Sequence, residues 1–164
     1  MNSASGLLHA VLVVIAGTHS ASVRGDGRAI APAIPVAQQS DKAQVERALS
    51  VYNARVLAMA HDSIAALYTV DGEMGGAGQP PTRGREAIRS RLASFSGYHV
   101  LGNRMVADST RVTADTARQW GSYWQRVRVP AGDTVEVSGT FAATWQRTGK
   151  GAWQLRRMIA TPRR

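Results

Sequence analysis

The apolar residues in the first part of the chain recur at intervals of four and three residues. This spacing places them on one face of a helix, which we expect to begin at Ser40 or Asp41 and to end near Ala60. The residues of this face are Val45, Leu49, Tyr52, Val56 and Met59. The pattern therefore predicts one long amphipathic helix.

Two shorter helices are predicted after it. The first begins at Asp62, which caps it, and ends at Asp71–Gly72; it carries Ile64, Leu67 and Tyr68. The second covers Arg85–Phe95, with Gly97 as its C-terminal stop. Between them, residues 75–81 (GGAGQPP) read as a loop, because so many glycines and prolines disfavour helix and central strand alike.

After Gly97 the apolar residues alternate with polar ones, and this period of two predicts strands. The expected segments are Tyr98–Ala107, Thr116–Val129, Thr134–Thr148 and Ala152–Ala160. Turn residues lie at all three boundaries between these four segments, which favours an antiparallel meander. A strand as long as Thr116–Val129 would span about 45 Å, so it must curl within so small a domain.

Gly121 and Gly139 lie in the middle of the two longest predicted strands. A residue without a side chain permits a bulge or a sharp bend in a strand. The prediction is an α+β cone, with three N-terminal helices packed on a curved antiparallel sheet that encloses a cavity.

The first 39 residues are predicted to lie outside this domain. Leu7–Ala16 is an apolar run of signal-peptide length, too short to span a bilayer, although no Lys or Arg precedes it. We expect a signal peptide over residues 1–21, a linker rich in alanine and proline over 22–39, and a domain over 40–161. This organisation predicts a secreted or periplasmic protein with no stable membrane span after cleavage; an uncleaved anchor or a misplaced start codon would be the alternatives.

Composition limits the chemistry that the chain can perform. It has 164 residues and no cysteine, so disulfides, thiolate metal sites and cysteine nucleophiles are excluded. The net charge is +9, and 18 of the 20 basic residues are arginines scattered along the chain. Because they are not clustered, a nucleic-acid partner is not expected. Histidines and acidic residues show no ligand spacing, and we expect neither a metal nor another cofactor.

Several short segments at the joints of the predicted elements resemble one known family. They are residues 61–62 (HD), 64–68 (IAALY), 71–72 (DG), 78–81 (GQPP), 84–88 (GREAI), 115–117 (DTA), 139–141 (GTF), Trp145 and 151–153 (GAW). In this order they resemble the SnoaL-like domains of the nuclear transport factor 2-like superfamily. The resemblance covers residues 41–161 and implies a cystatin-like cone and frequent homodimers formed through the sheet.

The resemblance also implies where isomerase chemistry would lie. The general base of ketosteroid isomerase-like members would fall at Gly75 or Gly76, and the two oxyanion donors near Ala54 and Phe141. None of these residues has a functional side chain, so an isomerase or cyclase of that kind is not expected. If the chain is an enzyme, Glu73 is the candidate acid/base, because it is the only carboxylate expected near the cavity mouth.

The alternation along the predicted strands suggests which side chains line the cone. The expected lining is aromatic with cationic points, and its members are Arg118, Trp120, Trp124, Phe141, Trp145, Arg156 and Met158. Such a lining suits a small hydrophobic or acidic molecule, with arginine pairing a carboxylate. The alternatives are that these tryptophans simply fill the core, and that a shift of one residue turns both arginines to solvent.

Three functions remain open from the sequence. The first is an exported SnoaL-like domain that binds a small hydrophobic or acidic molecule without the usual isomerase residues. The second is an enzyme of isomerase, cyclase or hydrolase type with relocated acid/base residues. The third is a dimeric interaction module whose contact surface includes Val135, Val137 and Trp145.

Overall fold

The computed structural model describes residues 36–163, except positions 77 and 150. Within these residues it contains three helices, which are α1 (Val36–Leu57), α2 (His61–Ala66) and α3 (Arg85–Ala93). The strands are β1 (Tyr68–Gly76), β2 (Thr82–Arg83), β3 (His99–Thr113), β4 (Thr116–Arg128), β5 (Thr134–Arg147) and β6 (Trp153–Pro162). The predicted α+β cone is confirmed.

Helix α1 begins earlier than its apolar spacing predicts. Its first residue is Val36, so neither Ser40 nor Asp41 is the N-cap, and the end of the predicted linker is helical. The predicted signal peptide and residues 22–35 of the linker lie outside the described residues. Four residues of the predicted apolar face, namely Val45, Leu49, Tyr52 and Val56, are buried, whereas Met59 lies beyond the end of α1 at Leu57. No helix in the described part of the chain is long and apolar enough to cross a membrane.

The six strands form one sheet in the order β2-β1-β6-β5-β4-β3. Strands β3 to β6 make the predicted antiparallel meander. Strand β1 was not expected, because Leu67 and Tyr68 continue a helical spacing and glycines follow. Instead, β1 pairs in parallel with β6, which would otherwise be left with an unpaired edge. Tertiary pairing therefore overrides local propensity here, and Gly75 and Gly76 belong to a strand and not to a loop.

The two mid-strand glycines lie where neighbouring strands approach closely, and Gly121 lies next to a bulge, as predicted. A side chain added at Gly121 would overlap the carbonyl oxygen of Val106 on β3, next to a bulge in the β3–β4 register. A side chain added at Gly139 would overlap the carbonyl oxygen of Thr161 on β6. Neighbouring backbones come this close only where Cβ is missing.

The core lies between the concave inner face of the sheet and the helices. Its largest fully buried side chains include Trp145, Tyr52 and Tyr68, with Met158 and Leu155 from β6. Tyr52 of α1 and Tyr68 of β1 meet edge to face, with ring centroids 6.4 Å apart. Aromatic packing thus fills most of the cone and leaves little open space.

Candidate functional site

A small interior cavity remains between α1 and the inner face of the sheet. Its volume is about 20 Å³, which is enough for about one water molecule. The lining comes from helix α1 and from strands β3, β4 and β6. These residues are Tyr52, Val56, Asn103, Met105, Tyr123, Gln125, Met158 and Ala160.

A chain of amide side chains forms the polar side of this cavity. Asn103 Nδ2 donates to Asn53 Oδ1 at 2.8 Å, and Gln125 Nε2 donates to Asn103 Oδ1 at 3.2 Å. Asn53 Nδ2 in turn donates to the carbonyl oxygen of Met105 at 3.1 Å. The network ties α1 to β3 and β4, and it holds the amide groups in fixed orientations beside the cavity.

Three tyrosines bring hydroxyl groups into the same interior. The hydroxyls of Tyr52 and Tyr68 lie 3.5 Å apart. Burial raises the pKa of Tyr52 to about 12, opposed in part by this hydrogen bond, and burial also raises the pKa of Tyr68 well above its ordinary value. Burial likewise raises the pKa of Tyr123. All three are therefore neutral hydrogen-bond donors at physiological pH.

The hydroxyl of Tyr123 is buried and has no hydrogen-bond partner within the described residues. An unpaired buried hydroxyl costs about 1–3 kcal/mol, so such groups are rare in folded proteins. Because Tyr123 lines the cavity, a guest whose acceptor atom reaches this hydroxyl would satisfy it. Tyr123 was not predicted as a site residue, and neither were Asn53, Asn103 and Gln125.

No Asp, Glu, His, Lys or Arg is among the described residues that line the cavity. The positions that the family resemblance assigned to catalysis do not supply a charge either. Ala54 is exposed on α1 and Phe141 is buried on β5. At Gly75, an added Cβ would lie 3.0 Å from Pro81 Cα, so a side chain there would require the following loop to shift.

The side chains predicted to point into the cone do so on β5 and at Met158 of β6, but the prediction for β4 is wrong. Phe141, Trp145 and Met158 lie in the core as expected. On β4, however, the residues facing inward are Ala117, Gln119, Tyr123, Gln125 and Val127, whereas Arg118, Trp120 and Trp124 are exposed on the outer face. The outer face of β4 carries three arginines, Arg118, Arg126 and Arg128. Burying them without partners would cost more than exposing two tryptophans, so this cost decides which face of β4 points inward.

Two other assignments are corrected by the same alternation. Val135 and Val137 pair with the inward-facing Val127 and Gln125, and Trp145 is in the core. These three side chains therefore do not form the outer surface that was suggested for a dimer. The outward-facing residues of β5 are Glu136, Ser138, Thr140, Ala142 and Thr144.

Arg156 does not share a face with Met158, contrary to the prediction. The β5–β6 register shifts at this point, so that Thr144 pairs with Arg157 and Trp145 pairs with Leu155. Arg156 is the extra residue of the bulge, and its guanidinium pairs with the Asp71 carboxylate at 2.9 Å. A strict period of two cannot predict side-chain direction across such a bulge.

Glu73 also lies away from the cavity. It points to the outer face of β1, where its two carboxylate oxygens lie 3.2 Å from Arg83 Nε and 3.5 Å from Arg157 Nε. The prediction that Glu73 lies at the cavity mouth is therefore wrong. The carboxylate joins β1 to β2 and β6 as part of a surface ion-pair cluster.

The outer face carries two clusters of tryptophan and arginine. In the first, Trp124 Nε1 donates to Glu136 at 3.3 Å, and the same carboxylate lies 3.7 Å from Arg126 Nε. We call this the paired cluster. It resides entirely on β4 and β5 and contains its own anion.

The second cluster lies at the other end of β4, beside the β3–β4 turn. Arg111 and Arg118 are directly opposite each other across the two strands, and the Arg111 guanidinium lies 5.4 Å from the centre of the Trp120 ring. Together with Thr113 and Thr116 they line an open groove of about 480 Å³, which we call the arginine groove. The predicted residues Arg118 and Trp120 do meet, but on the outer surface.

The described residues contain no group of three or more histidines and acidic residues that could hold a metal ion.

The family model described as "SnoaL-like domain" matches residues 37–159. The chain belongs to the SnoaL-like domain family. No curated protein sequence matches this SnoaL-like domain.

Solved structures share the fold at low sequence identity. A ketosteroid isomerase-like protein from Erwinia carotovora atroseptica superimposes with a TM-score of 0.68 at 19% identity, over 74% of this chain and 95% of that one. A nuclear transport factor 2-like superfamily protein from Salmonella enterica gives a TM-score of 0.66 at 10% identity, over 77% of this chain and 93% of that one. At such identities these similarities extend to the fold alone, and they show that the SnoaL-like domain shares the fold of these proteins.

Proposed function

We propose that this SnoaL-like domain is an exported protein that binds a small hydrophobic molecule in its cone and lacks the usual isomerase residues. The observation that carries the proposal is the unpartnered hydroxyl of Tyr123, which is buried beside a cavity. A neutral molecule with one acceptor oxygen would pair with it. Asn103 and Gln125 provide the other polar atoms of this wall.

The interior must widen to admit such a molecule. The cavity of about 20 Å³ has room for about one water molecule, so a larger guest fits only if the lining side chains move. Met105 and Met158 line it, and methionine side chains adjust to irregular shapes because they have three rotatable bonds. Movement of these two side chains is the least costly way to enlarge the site.

The absence of a charged lining among the described residues also defines the guest. Bringing a carboxylate into this interior would cost far more than bringing in a neutral carbonyl, since no arginine or lysine of the lining would compensate it. The acidic ligand that the sequence also suggested does not suit the cone. Glu73, in its ion-pair cluster on the outer face, is assigned a structural role in this proposal.

Cyclohexanone and cyclohexane provide a direct test. The ketone is expected to shift the NMR signals of Tyr123 and the Met105 methyl group saturably, and the hydrocarbon to bind more weakly because it accepts no hydrogen bond. In Tyr123→Phe the preference for the ketone should disappear. Trp124→Phe, one residue further along β4 on the opposite face, is the matched control and should keep it. Failure of both probes to shift these signals would contradict the proposal.

Export is supported by the apolar run Leu7–Ala16 and the small residues after it. N-terminal sequencing of the protein from cells that express the full chain tests this part. We expect a mature chain that begins at Ser22, after cleavage behind Ala21. Recovery of the intact N-terminus from the cytosol alone would contradict it.

A homodimer formed through the outer face of the sheet is a second part of the proposal. Trp124 is 38% exposed and Val106 is 41% exposed on this face, and exposed apolar side chains of this size favour a protein contact. Light scattering at tens of micromolar should give twice the mass of the chain. A strictly monomeric mass would remove this part and leave the cone unaffected.

A further inference from the structure

Among the described residues, the arginine groove differs from the paired cluster in having no salt-bridged carboxylate of its own. Neither Arg111 nor Arg118 forms a salt bridge with any described carboxylate. By contrast, the arginines at 83, 89, 126, 147, 156 and 157 all do. The groove therefore concentrates uncompensated positive charge at one place on the sheet.

The cross-strand register makes this arrangement unfavourable without a ligand. Arg111 and Arg118 are direct partners on β3 and β4, and like charges opposite each other destabilise a sheet. The neighbours of Arg118 and Trp120 on β5 are Thr144 and Ala142, which carry no charge. In the paired cluster, the corresponding β5 neighbour of Arg126 is Glu136, which neutralises it.

The geometry points to a ligand site in the arginine groove for a small planar carboxylate. One anionic group between two guanidinium groups would remove their repulsion and form charge-assisted hydrogen bonds. Trp120, 38% exposed at the groove wall, supplies flat apolar surface for the rest of the molecule. The volume of about 480 Å³ lies within the range of small-molecule sites.

Arg111 is held ready for this role. Its guanidinium is stacked on Trp120 at 5.4 Å from the ring centre, which fixes the side chain before the ligand arrives. Thr113 and Thr116 place two hydroxyl-bearing side chains at the end of the groove. The site is on the surface opposite the cone, and it does not depend on whether the cone binds a molecule.

Phenylacetate is a suitable probe, with phenylethanol and inorganic phosphate as comparisons. Phenylacetate at millimolar concentration is expected to shift the indole N–H signal of Trp120 saturably, with that signal assigned from Trp120→Phe. Arg118→Gln and Arg111→Gln should each weaken binding about tenfold, the loss of one charged hydrogen-bonding partner. Arg126→Gln in the paired cluster is the control and should leave the affinity unchanged.

Each comparison can overturn the inference. If phenylethanol binds as well as phenylacetate, charge plays no part. If phosphate shifts the Trp120 signal with the same affinity as phenylacetate, the site recognises any anion, and the inference that the ligand needs a planar group is contradicted. If Arg118→Gln changes the mass measured by light scattering and phenylacetate shifts no signal, a second copy of the chain covers the groove instead. None of these outcomes bears on the cyclohexanone test of the cone.

Discussion

The two faces of strand β4 have opposite chemistry although their residues alternate along one segment. The inner face presents Gln119, Tyr123 and Gln125, which are uncharged, and both glutamines take part in hydrogen bonds. The outer face presents Arg118 and Trp120, together with further arginines and a second tryptophan. The strand separates a neutral interior from a cationic surface.

This difference indicates how the fold divides its tasks. Inner-face side chains are enclosed by other parts of the chain, so changing them should alter stability. Outer-face side chains contact mainly solvent and each other, so changing them should alter binding with little effect on folding.

Gly121→Ala should strongly destabilise the domain. The added methyl group would overlap the Val106 carbonyl oxygen, and only a backbone movement can relieve this contact. We expect a loss of about 3 kcal/mol in the free energy of unfolding, measured with urea. Gly149→Ala is the control, because nothing lies within 4 Å of its added Cβ. Equal stability of the two variants would show that the sheet does not need this close approach.

Gln119→Leu should remove the acceptor of a buried indole. Trp145 Nε1 donates to Gln119 Oε1 at 3.1 Å, and Gln119 Nε2 donates to Thr110 Oγ1 at 3.1 Å. Leaving the indole N–H unpaired is expected to cost about 2 kcal/mol in urea unfolding. In Gln119→Leu combined with Trp145→Phe, the loss should be smaller than the sum of the two single losses. Additive losses would contradict the importance of this hydrogen bond.

The buried tyrosines should make the domain sensitive to alkali. Above the ordinary tyrosine pKa of 10.0 the unfolded chain loses the Tyr52 proton, whereas the folded chain keeps it until about pH 12. The unfolded state then binds fewer protons, so the free energy of unfolding falls by about 1.4 kcal/mol per pH unit in this window. Below pH 10 this contribution is complete.

Urea unfolding at several pH values measures this dependence. Tyr52→Phe should show a shallower decline above pH 10 than the unchanged chain, because one of the buried hydroxyls no longer titrates. The same slope in both proteins would mean that the Tyr52 hydroxyl is not enclosed.

Arg118→Gln should have the smallest effect on stability. It removes a like-charge contact with Arg111, so we expect an increase of about 0.3 kcal/mol at low salt that disappears at high salt. Arg126→Gln removes an exposed ion pair with Glu136 and should decrease stability by a similar small amount. A large loss in Arg118→Gln would show that this arginine belongs to the folded framework and is not a free binding group.

The sequence predicted the elements of the domain better than the direction of their side chains. Apolar spacing located α1 and four strands because these elements are long and strongly periodic, and it also located the short helices α2 and α3. It missed β1, because a glycine-rich segment forms a strand there only through pairing with β6. Such long-range pairing leaves no local signal.

The inward face of β4 was predictable, but from charge and not from hydrophobicity. The alternate positions that include Ala117 and Tyr123 carry no charge, whereas the other positions carry Arg118, Arg126 and Arg128. Placing the uncharged set inside is the only choice that leaves every arginine solvated. The direction of Arg156 was not predictable in this way, because it depends on a bulge with no clear sequence signal.

Intermolecular NOEs from the ring protons of phenylacetate test the separation of the two faces most directly. We expect contacts to the Trp120 indole in the arginine groove and none to the Tyr123 ring or the Met105 methyl group in the cone. Contacts to Tyr123 and Met105 without contacts to Trp120 would show that an acidic molecule enters the neutral interior, and would contradict the separation of the two faces.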